Sequence, residues 1–167
     1  MYKTLDLSKD IKMIVSDFDG IFTDNSVYIF DFDNKVKKLS FKDLMGVSVA
    51  TKNGIRVGII SGEKSKEIDY IAEKFGLSDI HQGIRKKLPI LEEIKKKYDF
   101  NDDEILYIGD DINDIDCLNS VKYAVTVNQA NFKVKQEVKH IQLTKADAGD
   151  GAFREVVDNI VELKNHG

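Results

Sequence analysis

The segment IKMIVSDFDG, residues 11–20, places an apolar run directly before a pair of aspartates. The apolar run predicts a buried β-strand at residues 11–16. Asp17 and Asp19 follow at the end of that strand, where side chains two residues apart point to the same side. Two carboxylates at this spacing repel each other unless a cation or a proton lies between them. The segment therefore predicts a buried strand that ends in a metal-assisted phosphoryl-transfer site.

Outward from this segment, apolar runs alternate with amphipathic ones, which favours an α/β fold. We expect buried strands at residues 11–16, 55–60, 104–108 and 123–127, with shorter strands near Ile80 and at residues 138–142. Helices are predicted at residues 43–52, 64–75, 87–98, 114–119 and 151–163. Residues 27–30 and 36–41 are expected to pair as a small hairpin. Buried strands joined by helices predict a doubly wound parallel sheet with helices on both faces.

Length and composition predict one globular domain that spans residues 1–167. The formal net charge of −4 leaves no excess of basic residues, so we expect no nucleic-acid partner. Cys117 is the only cysteine, which excludes an internal disulfide and favours a small buried side chain. The first residues are too charged for a signal peptide, and no apolar run reaches membrane-spanning length. We therefore expect a cytoplasmic protein with no membrane partner.

Polar residues follow three of the predicted strands, at the point where each strand ends. Asp17 and Asp19 follow the first strand, Ser61 and Gly62 follow the second, and Asp110 follows the third. In a doubly wound sheet, ligands bind beyond the carboxyl ends of the strands. These residues are therefore expected to lie together in one site.

The third of these groups, GDDIND at residues 109–114, contains three carboxylates, those of Asp110, Asp111 and Asp114. Ligand sets made only of oxygen suit Mg²⁺, which keeps several waters and shares itself with a substrate phosphate. Neither histidine nor cysteine lies within the acidic loops, which argues against zinc. The alternative is a solvated loop in which an aspartate caps a helix. Together with the pair formed by Asp17 and Asp19, the loop favours a magnesium site.

Ser61, Gly62 and Lys87 are candidates for binding phosphate. Ser61 and Gly62 lie between a strand and a helix, where a hydroxyl and free backbone N–H groups bind anions; an ordinary turn is the alternative. Lys87 lies at the start of a predicted helix, where the helix dipole disfavours a cation. It is therefore either a solvated lysine or a lysine that turns toward the acidic edge and the phosphate.

These groups suit phosphoryl transfer through an aspartate nucleophile. Attack of a carboxylate on phosphorus gives an aspartyl-phosphate, which water then hydrolyses. A second aspartate can protonate the leaving oxygen and later activate the water. A metal ion and a lysine offset the charge on the transferring phosphoryl group.

In their order along the chain, these motifs resemble those of the haloacid dehalogenase (HAD) superfamily of phosphatases. The matching residues are Asp17-x-Asp19-Gly20 with Thr23-Asp24, then Ser61-Gly62, Lys87, and Gly109-Asp110-Asp111-x-x-Asp114. The resemblance implies that Asp17 is the nucleophile and Asp19 the general acid and base. It also implies that Mg²⁺ is held by Asp17, the backbone carbonyl of Asp19 and Asp110, with Asp111 and Asp114 in support. Ser61 and Lys87 would bind phosphate.

The superfamily often carries a cap domain, for which this chain has no room. A hairpin and a helix fill the chain between Asp19 and Ser61. The sequence resembles the capless branch, which implies a Rossmann-like HAD core with a β-hairpin flap. In that branch the neighbouring subunits of a tetramer serve as the lid. The partners expected from the resemblance are therefore a small sugar-acid phosphate and further copies of the chain.

Within that branch, the chain resembles the phosphatases of 3-deoxy-D-manno-octulosonate 8-phosphate (KDO 8-phosphate) and relatives that act on the nine-carbon acid phosphates of sialic-acid metabolism. The resemblance is carried by DFDGIFTDNSVY at residues 17–28, Gln82-Gly83, Lys87-Leu88 and GDGAFRE at residues 149–155. Glu63 and Lys74 are similar to the nine-carbon branch, and ordinary helix-surface positions are the alternative. Arg154 is expected to hold a substrate carboxylate or a neighbouring chain, or else to lie on a helix surface.

Three segments depart from the family pattern. Asn25 stands where the family usually has Gly after Thr-Asp. Residues 42–46 read KDLMG where Arg/Lys-Asp-Gly is usual, and residues 148–151 read AGDG where Gly-Gly-x-Gly is usual. The last two departures leave the identity of the sugar open, because the corresponding regions of the family face the sugar.

The sequence therefore predicts a Mg²⁺-dependent phosphatase of an eight- or nine-carbon 3-deoxy keto sugar acid. One alternative is a HAD phosphatase that acts on another small sugar phosphate, and another is a non-catalytic HAD-like oligomerisation domain. A receiver domain of bacterial signalling is disfavoured by motif order, because its acidic pair comes first and its lysine last, whereas here Lys87 precedes the loop at residues 109–114.

Overall fold

A buried strand, β1 (Met13–Ser16), lies in the middle of the sheet in the computed structural model, which describes residues 3–167. All four of its residues are buried. It pairs in parallel with β4 (Arg56–Ile60) on one side and with β6 (Ile105–Ile108) on the other. Strands that are buried on both faces are typical of parallel sheets. The segment that opens the site is thus also the centre of the fold.

The sheet has six parallel strands in the order β5–β4–β1–β6–β7–β8, which confirms the predicted doubly wound topology. Ser16 pairs with Ile59 and Ile108, so the three central strands end at the same edge. The outer strands are β5 (Ile80–His81), β7 (Tyr123–Thr126) and β8 (Gln142–Leu143). The helices are α1 (Phe41–Lys52), α2 (Lys66–Phe75), α3 (Lys87–Tyr98), α4 (Ile115–Asn119), α5 (Phe132–Glu137) and α6 (Ala152–His166).

The helices cover both faces of the sheet, because successive residues of β1 point to opposite sides. Ile14 belongs to a buried cluster with residues of α1, α2 and α6. Met13 and Val15 face the other side and belong to a second cluster with residues of α3, α4 and α5. Cys117 lies on α4, fully buried in this second cluster, as the sequence predicts. Within residues 3–167, no helix combines the length and the apolar character needed to cross a membrane.

The hairpin between β1 and α1 pairs β2 (Tyr28–Ile29) with β3 (Lys35–Val36) in antiparallel register. It is shorter than predicted, since Phe41, expected at the end of its second strand, is the first residue of α1. Ser40 is the cause, because its side chain accepts a hydrogen bond from the backbone N–H of Lys42 and caps the helix.

The structure corrects the prediction of a strand at residues 138–142. The helix α5, which the sequence does not predict, comes before it, and Val138 is the C-cap of that helix. Asn131 starts this helix, because its side chain accepts a hydrogen bond from the backbone N–H of Lys133. The last strand therefore forms later, at Gln142–Leu143. The other predicted helices and strands of the sheet differ from the observed ones by no more than three residues at either end.

Candidate active site

A small cavity lies at the carboxyl edge of β1, β4 and β6. Its volume is about 140 Å³. The backbone N–H of Asp17 donates to the carbonyl of Ile108 over 2.9 Å, so the first aspartate is fixed between the ends of two strands. The residues that line the cavity are Asp17, Asp19, Asn25, Ser61, Gly62, Glu63, Asp110, Asp111 and Asn113. The fold thus brings together residues from all three predicted groups, together with Asn25 and Asn113, for which the sequence analysis predicts no role.

Lys87, the first residue of α3, directs its side chain into this cluster and is fully buried there. Its ammonium lies 2.8 Å from Oδ1 of Asp17 and 2.8 Å from Oδ1 of Asp114. Burial by itself lowers the pKa of a lysine, but the carboxylates of Asp114 and Asp17 raise the pKa of Lys87 above its ordinary value. The structure therefore places Lys87 at the acidic edge, one of the two alternatives left open by its position in the sequence.

Asp114 is held by four hydrogen bonds. Its carboxylate accepts from the ammonium of Lys87 over 2.8 Å, from the hydroxyl of Tyr107 over 2.6 Å, and from the backbone N–H groups of Asp110 and Asp111 over 3.1 and 3.2 Å. Gly109 leaves the room for it, because a Cβ at that residue would lie 2.4 Å from Cγ of Asp114. Asp114 thus ties the acidic loop to β6 and α3.

Asp110 is buried and its two carboxylate oxygens are in different surroundings. Oδ2 accepts a hydrogen bond from the side-chain amide of Asn25 over 3.0 Å. Oδ1 receives none from an N–H or hydroxyl group of the described residues. Asp17, Asp110 and Asp114 can each offer an oxygen such that the three atoms lie within 4.8 Å of one another. A buried oxygen without a donor, inside a cluster of this size, fits a hard divalent cation.

The protonation of these carboxylates depends on the positive charge near them. Burial raises the pKa of Asp17 well above its ordinary value, and the negative charge of Asp114 raises it further, while Lys87 opposes both effects. When protonated, Asp17 can donate to Asp110. Burial also raises the pKa of Asp110, to about 6. Without a metal ion, these carboxylates therefore tend to bind a proton at the position where a cation would fit.

Ser61 and Asp111 lie at the cavity and each stabilises a turn there. The hydroxyl of Ser61 accepts from the backbone N–H of Glu63 over 3.2 Å. The carboxylate of Asp111 accepts from the backbone N–H of Ile112 over 2.7 Å and caps the short 3₁₀ turn Ile112–Asp114. The helix cap suggested as an alternative for the acidic loop is thus present at Asp111, beside the buried carboxylates.

Asp19 forms an ion pair that the sequence analysis does not predict. The ammonium of Lys37, which follows β3, lies 2.8 Å from Oδ2 of Asp19. The hydroxyl of Thr23 lies 3.4 Å from Oδ1 of Asp19, to which it donates. The backbone N–H of Lys37 donates to the carboxylate of Glu67 on α2 over 2.9 Å. Lys37 thus links the hairpin, α2 and the second aspartate of the site.

Tyr107 is a further site residue absent from the sequence prediction. Its hydroxyl is the only polar side-chain group within β6, where it is fully buried, and it donates to Asp114. A hydroxyl on an otherwise apolar strand is the signal that could have indicated it, since a buried hydroxyl requires a hydrogen-bond partner.

Lys74 and Arg154 do not line the cavity within one chain. The ammonium of Lys74, in the last turn of α2, lies 3.1 Å from the hydroxyl of Tyr70. The guanidinium of Arg154 donates to Asp158 over 2.8 Å and lines a separate cleft of about 550 Å³ along α6. Asp43 accepts from the backbone N–H of Arg154 over 3.1 Å, so the KDLMG segment helps to hold the start of α6.

Comparisons with known proteins relate the chain to one group of hydrolases. A family model of haloacid dehalogenase-like hydrolases matches residues 79–153, which include Lys87 and the acidic loop. The 3-deoxy-D-manno-octulosonate 8-phosphate phosphatase KdsC of Escherichia coli (strain K12) is 26% identical over 151 residues, which cover 90% of this chain and 79% of that protein.

Solved structures share the fold over nearly the whole chain. A hydrolase from Legionella pneumophila, described as a member of HAD subfamily III A, is 31% identical, with a TM-score of 0.87 over 94% of this chain and 85% of that chain. The KDO 8-phosphate phosphatase from Moraxella catarrhalis, in complex with magnesium, phosphate and KDO, is 29% identical, with a TM-score of 0.86 over 94% of this chain and 89% of that chain. The similarity therefore covers the sheet, its helices and the acidic edge together.

Proposed function

The chain belongs to the haloacid dehalogenase-like hydrolases, and from that premise we propose that it removes phosphate from an eight- or nine-carbon 3-deoxy keto sugar acid with Mg²⁺ as its cofactor. It is a phosphoric monoester hydrolase that resembles the KDO 8-phosphate phosphatases. The observation that carries the proposal is the buried contact of Lys87 with Asp17 and Asp114, beside the carboxylate of Asp110. It combines a nucleophile, a phosphate-binding cation and a metal ligand at one sheet edge.

The donor set of the cavity supports magnesium as the cofactor. We assign Asp17, Asp110 and the backbone carbonyl of Asp19 to holding the ion, with Asp111 and Asp114 in support. The oxygen of Asp110 that receives no hydrogen bond from the described residues is the atom that most needs a cation. When bound, Mg²⁺ offsets negative charge on the phosphoryl group.

Hydrolysis then proceeds in two steps on residues of this chain. In the first, an oxygen of Asp17 bonds to phosphorus, the bond from phosphorus to the sugar oxygen breaks, and Asp19 gives its proton to that oxygen. In the second, Asp19 takes a proton from water, the water oxygen bonds to phosphorus, and the bond to Asp17 breaks, which releases inorganic phosphate. Lys87 and the turn at Ser61 and Gly62 offset charge on the transferring group.

A cleft beside the phosphate cavity supports an acidic substrate. Its volume is about 240 Å³, and Glu63 lines both the cleft and the cavity. Four lysines line the cleft, Lys35 and Lys37 on the hairpin side and Lys64 and Lys66 on either side of Ser65, the N-cap of α2. They outnumber by one the acidic residues of the cleft, which are Asp33, Glu63 and Glu67. Cations are disfavoured at a helix N-terminus, and a bound anion would offset that cost. We assign this cleft to the carboxylate of the sugar acid, with Glu63 contacting the sugar.

Assembly into a homo-oligomer, with a tetramer as the expected form, is the second part of the proposal. The hairpin exposes four large apolar side chains, those of Tyr28, Ile29, Phe30 and Phe32, by 64–97%. Large apolar side chains exposed together on one short segment are typical of a protein–protein interface. A neighbouring copy would cover the open cavity, and Lys74 and Arg154 would reach substrate only through such an assembly.

A phosphate-release screen tests the substrate. The chain is assayed with Mg²⁺ on KDO 8-phosphate and on nine-carbon keto-deoxy acid 9-phosphates, with neutral hexose phosphates as matched controls without a carboxylate. We expect kcat/KM for one of the acids to exceed that for the hexose phosphates by at least about tenfold, because the lysine-lined cleft contacts only the acids. The better acid identifies the carbon number. Equal kcat/KM for the hexose phosphates would favour the alternative of another small sugar phosphate.

Asp17→Asn is the negative control of the screen and a test of the nucleophile. Removing the attacking oxygen should lower phosphate release to below about a thousandth of the wild-type rate, while the circular dichroism spectrum and the thermal unfolding remain those of a folded protein. Substantial Mg²⁺-dependent release by this variant would contradict the assignment. A wild-type chain that is inactive on every substrate would instead favour the non-catalytic oligomerisation domain.

A further inference from the structure

We infer that Asn25 is a positioning residue, which sets the rotation of the Asp110 carboxylate so that one chosen oxygen faces the metal ion. The inference rests on the proposed Mg²⁺-dependent function.

The backbone of Asn25 is in an unusual conformation, with a φ of +70° in the left-handed region. Glycine adopts this region freely, and Asn and Asp are the side-chain-bearing residues that enter it most readily. The backbone N–H of Asn25 donates to the hydroxyl of Thr23 over 3.2 Å, which anchors the loop. Asn at this position therefore satisfies the backbone as glycine would, and it adds a side-chain amide at a fixed place.

That amide joins two loops that lie far apart in sequence. Its Nδ2 donates to Oδ2 of Asp110 over 3.0 Å, across 85 positions of the chain. Gly20 makes the approach possible, because a Cβ there would lie 1.8 Å from Oδ2 of Asp110 and 2.8 Å from Nδ2 of Asn25. The backbone carbonyl of Asp110 is held by the N–H of Asn131 over 2.8 Å. Because this bond holds the backbone of Asp110, the rotation of its side chain is what the bond from Asn25 determines.

The bond makes the two oxygens of Asp110 unequal. Oδ2 has a donor, whereas Oδ1 is buried and receives no hydrogen bond from any N–H or hydroxyl group within residues 3–167. A carboxylate held in this way presents Oδ1 as the ligand atom before the ion arrives. Residues that orient metal ligands through hydrogen bonds typically change metal affinity by about 10- to 100-fold when they are replaced.

Asn25→Gly is the variant that separates the amide from the backbone, because glycine keeps the positive φ and removes only the side chain. Asp99→Gly is the matched control. Asp99 is the other non-glycine residue with a positive φ among the described residues, at 54°, and it lies at the end of α3. Any general effect of a more flexible left-handed residue will appear in both variants.

Titration calorimetry of wild-type chain and both variants with MgCl₂, without substrate, gives the readout. We expect the Kd for Mg²⁺ to rise about 10- to 100-fold in Asn25→Gly and to stay unchanged in Asp99→Gly. At saturating Mg²⁺, kcat of Asn25→Gly should return toward that of the wild type, which a loss of folding would not allow.

Two outcomes would overturn the inference, and they are distinguishable. If wild type and Asn25→Gly bind Mg²⁺ with the same Kd, the role of Asn25 is wrong while the proposed function stands. If the wild-type chain binds no Mg²⁺ at all, the proposed cofactor and the role of Asn25 are both wrong.

Discussion

Burial disfavours the ionised forms of Asp110 and Asp17, and the charges of neighbouring residues determine how far their pKa values shift. The pKa of Asp110 rises to about 6 and that of Asp17 rises well above its ordinary value, in both cases mainly through burial. Lys87 opposes the shift of Asp17 but cannot serve every carboxylate, since Asp114 also binds it. The carboxylates of the site therefore need a further positive charge, beyond that of Lys87, to remain ionised.

The raised pKa of Asp110 predicts how pH acts on the metal-free protein. Because its pKa of about 6 exceeds the ordinary value of 3.8, the folded state binds this proton more tightly than the unfolded chain does. The resulting stabilisation is complete below a pH of about 4 and is lost as the pH rises through 6. The shift corresponds to about 3 kcal/mol of folding free energy at most. Metal-free protein should therefore lose stability as the pH rises through this window.

Mg²⁺ should reverse this loss, because metal binding requires ionised carboxylates. We expect the increase in Tm on adding Mg²⁺ to be larger at about pH 7.5 than at about pH 5. Thermal unfolding with Mg²⁺ and with a chelator, at both pH values, measures the difference. The same increase in Tm at both would contradict the assignment of the buried carboxylates to the metal.

Lys37→Met tests how far the second aspartate depends on its ion pair. The Lys37 side chain is 12% exposed and its ammonium lies 2.8 Å from Asp19, so its loss should misplace the general acid. We expect kcat to fall by about tenfold or more, with an unchanged Kd for Mg²⁺. KM for an acidic substrate should also rise, because Lys37 lines the cleft assigned to the carboxylate.

The neighbouring residue supplies the control for Lys37. Lys38 has a side chain that is 70% exposed, and its ammonium lies 3.6 Å from Asp24. A surface ion pair of this kind contributes little, so Lys38→Met should change neither kcat nor KM. Equal losses of activity in both variants would show that the charge of the hairpin, rather than the contact with Asp19, matters.

At the scale of the elements, the segments with strong local signals could be predicted from the sequence. The apolar runs of β1, β4 and β6 indicate buried strands, and their order along the chain gives the edge at which Asp17, Ser61 and Asp110 meet. The observed bounds of α3, Lys87–Tyr98, agree with the prediction. The cost of a lysine at the start of that helix left two alternatives for Lys87, and the structure shows the one in which it turns toward the acids.

The elements and contacts that were not predicted depend on partners distant in sequence. The helix α5 is short, and only the cap at Asn131 indicates where it begins. The ion pair of Lys37 with Asp19 and the bond of Asn25 with Asp110 each require the loops after two different strands to meet. Because periodicity reports only local structure, no pattern in the sequence singles out Lys37 from its neighbour Lys38.

For the whole molecule, the exposed hairpin predicts an assembly. Ile29→Asp/Phe30→Asp places two charges on a surface where the wild-type side chains are 64% and 70% exposed. Within one chain these substitutions should leave the Tm nearly unchanged, since neither side chain is buried. We expect the molar mass from light scattering to fall to that of smaller species and KM to rise, because the cavity loses its cover.

Phe132→Asp is the control for the hairpin variant. Phe132 is 63% exposed at the start of α5, outside the hairpin, and its replacement should preserve the oligomer. A wild-type chain that is fully active as a stable monomer would contradict the proposed assembly.

Burial of the single thiol has a practical consequence. Cys117 is fully buried on α4, and burial raises its pKa to about 12, so almost no thiolate is available for alkylation at neutral pH. A thiol-reactive dye can label the chain only when α4 separates from the sheet. The labelling rate of the purified chain therefore reports how often the fold opens around α4, and no engineered probe is needed.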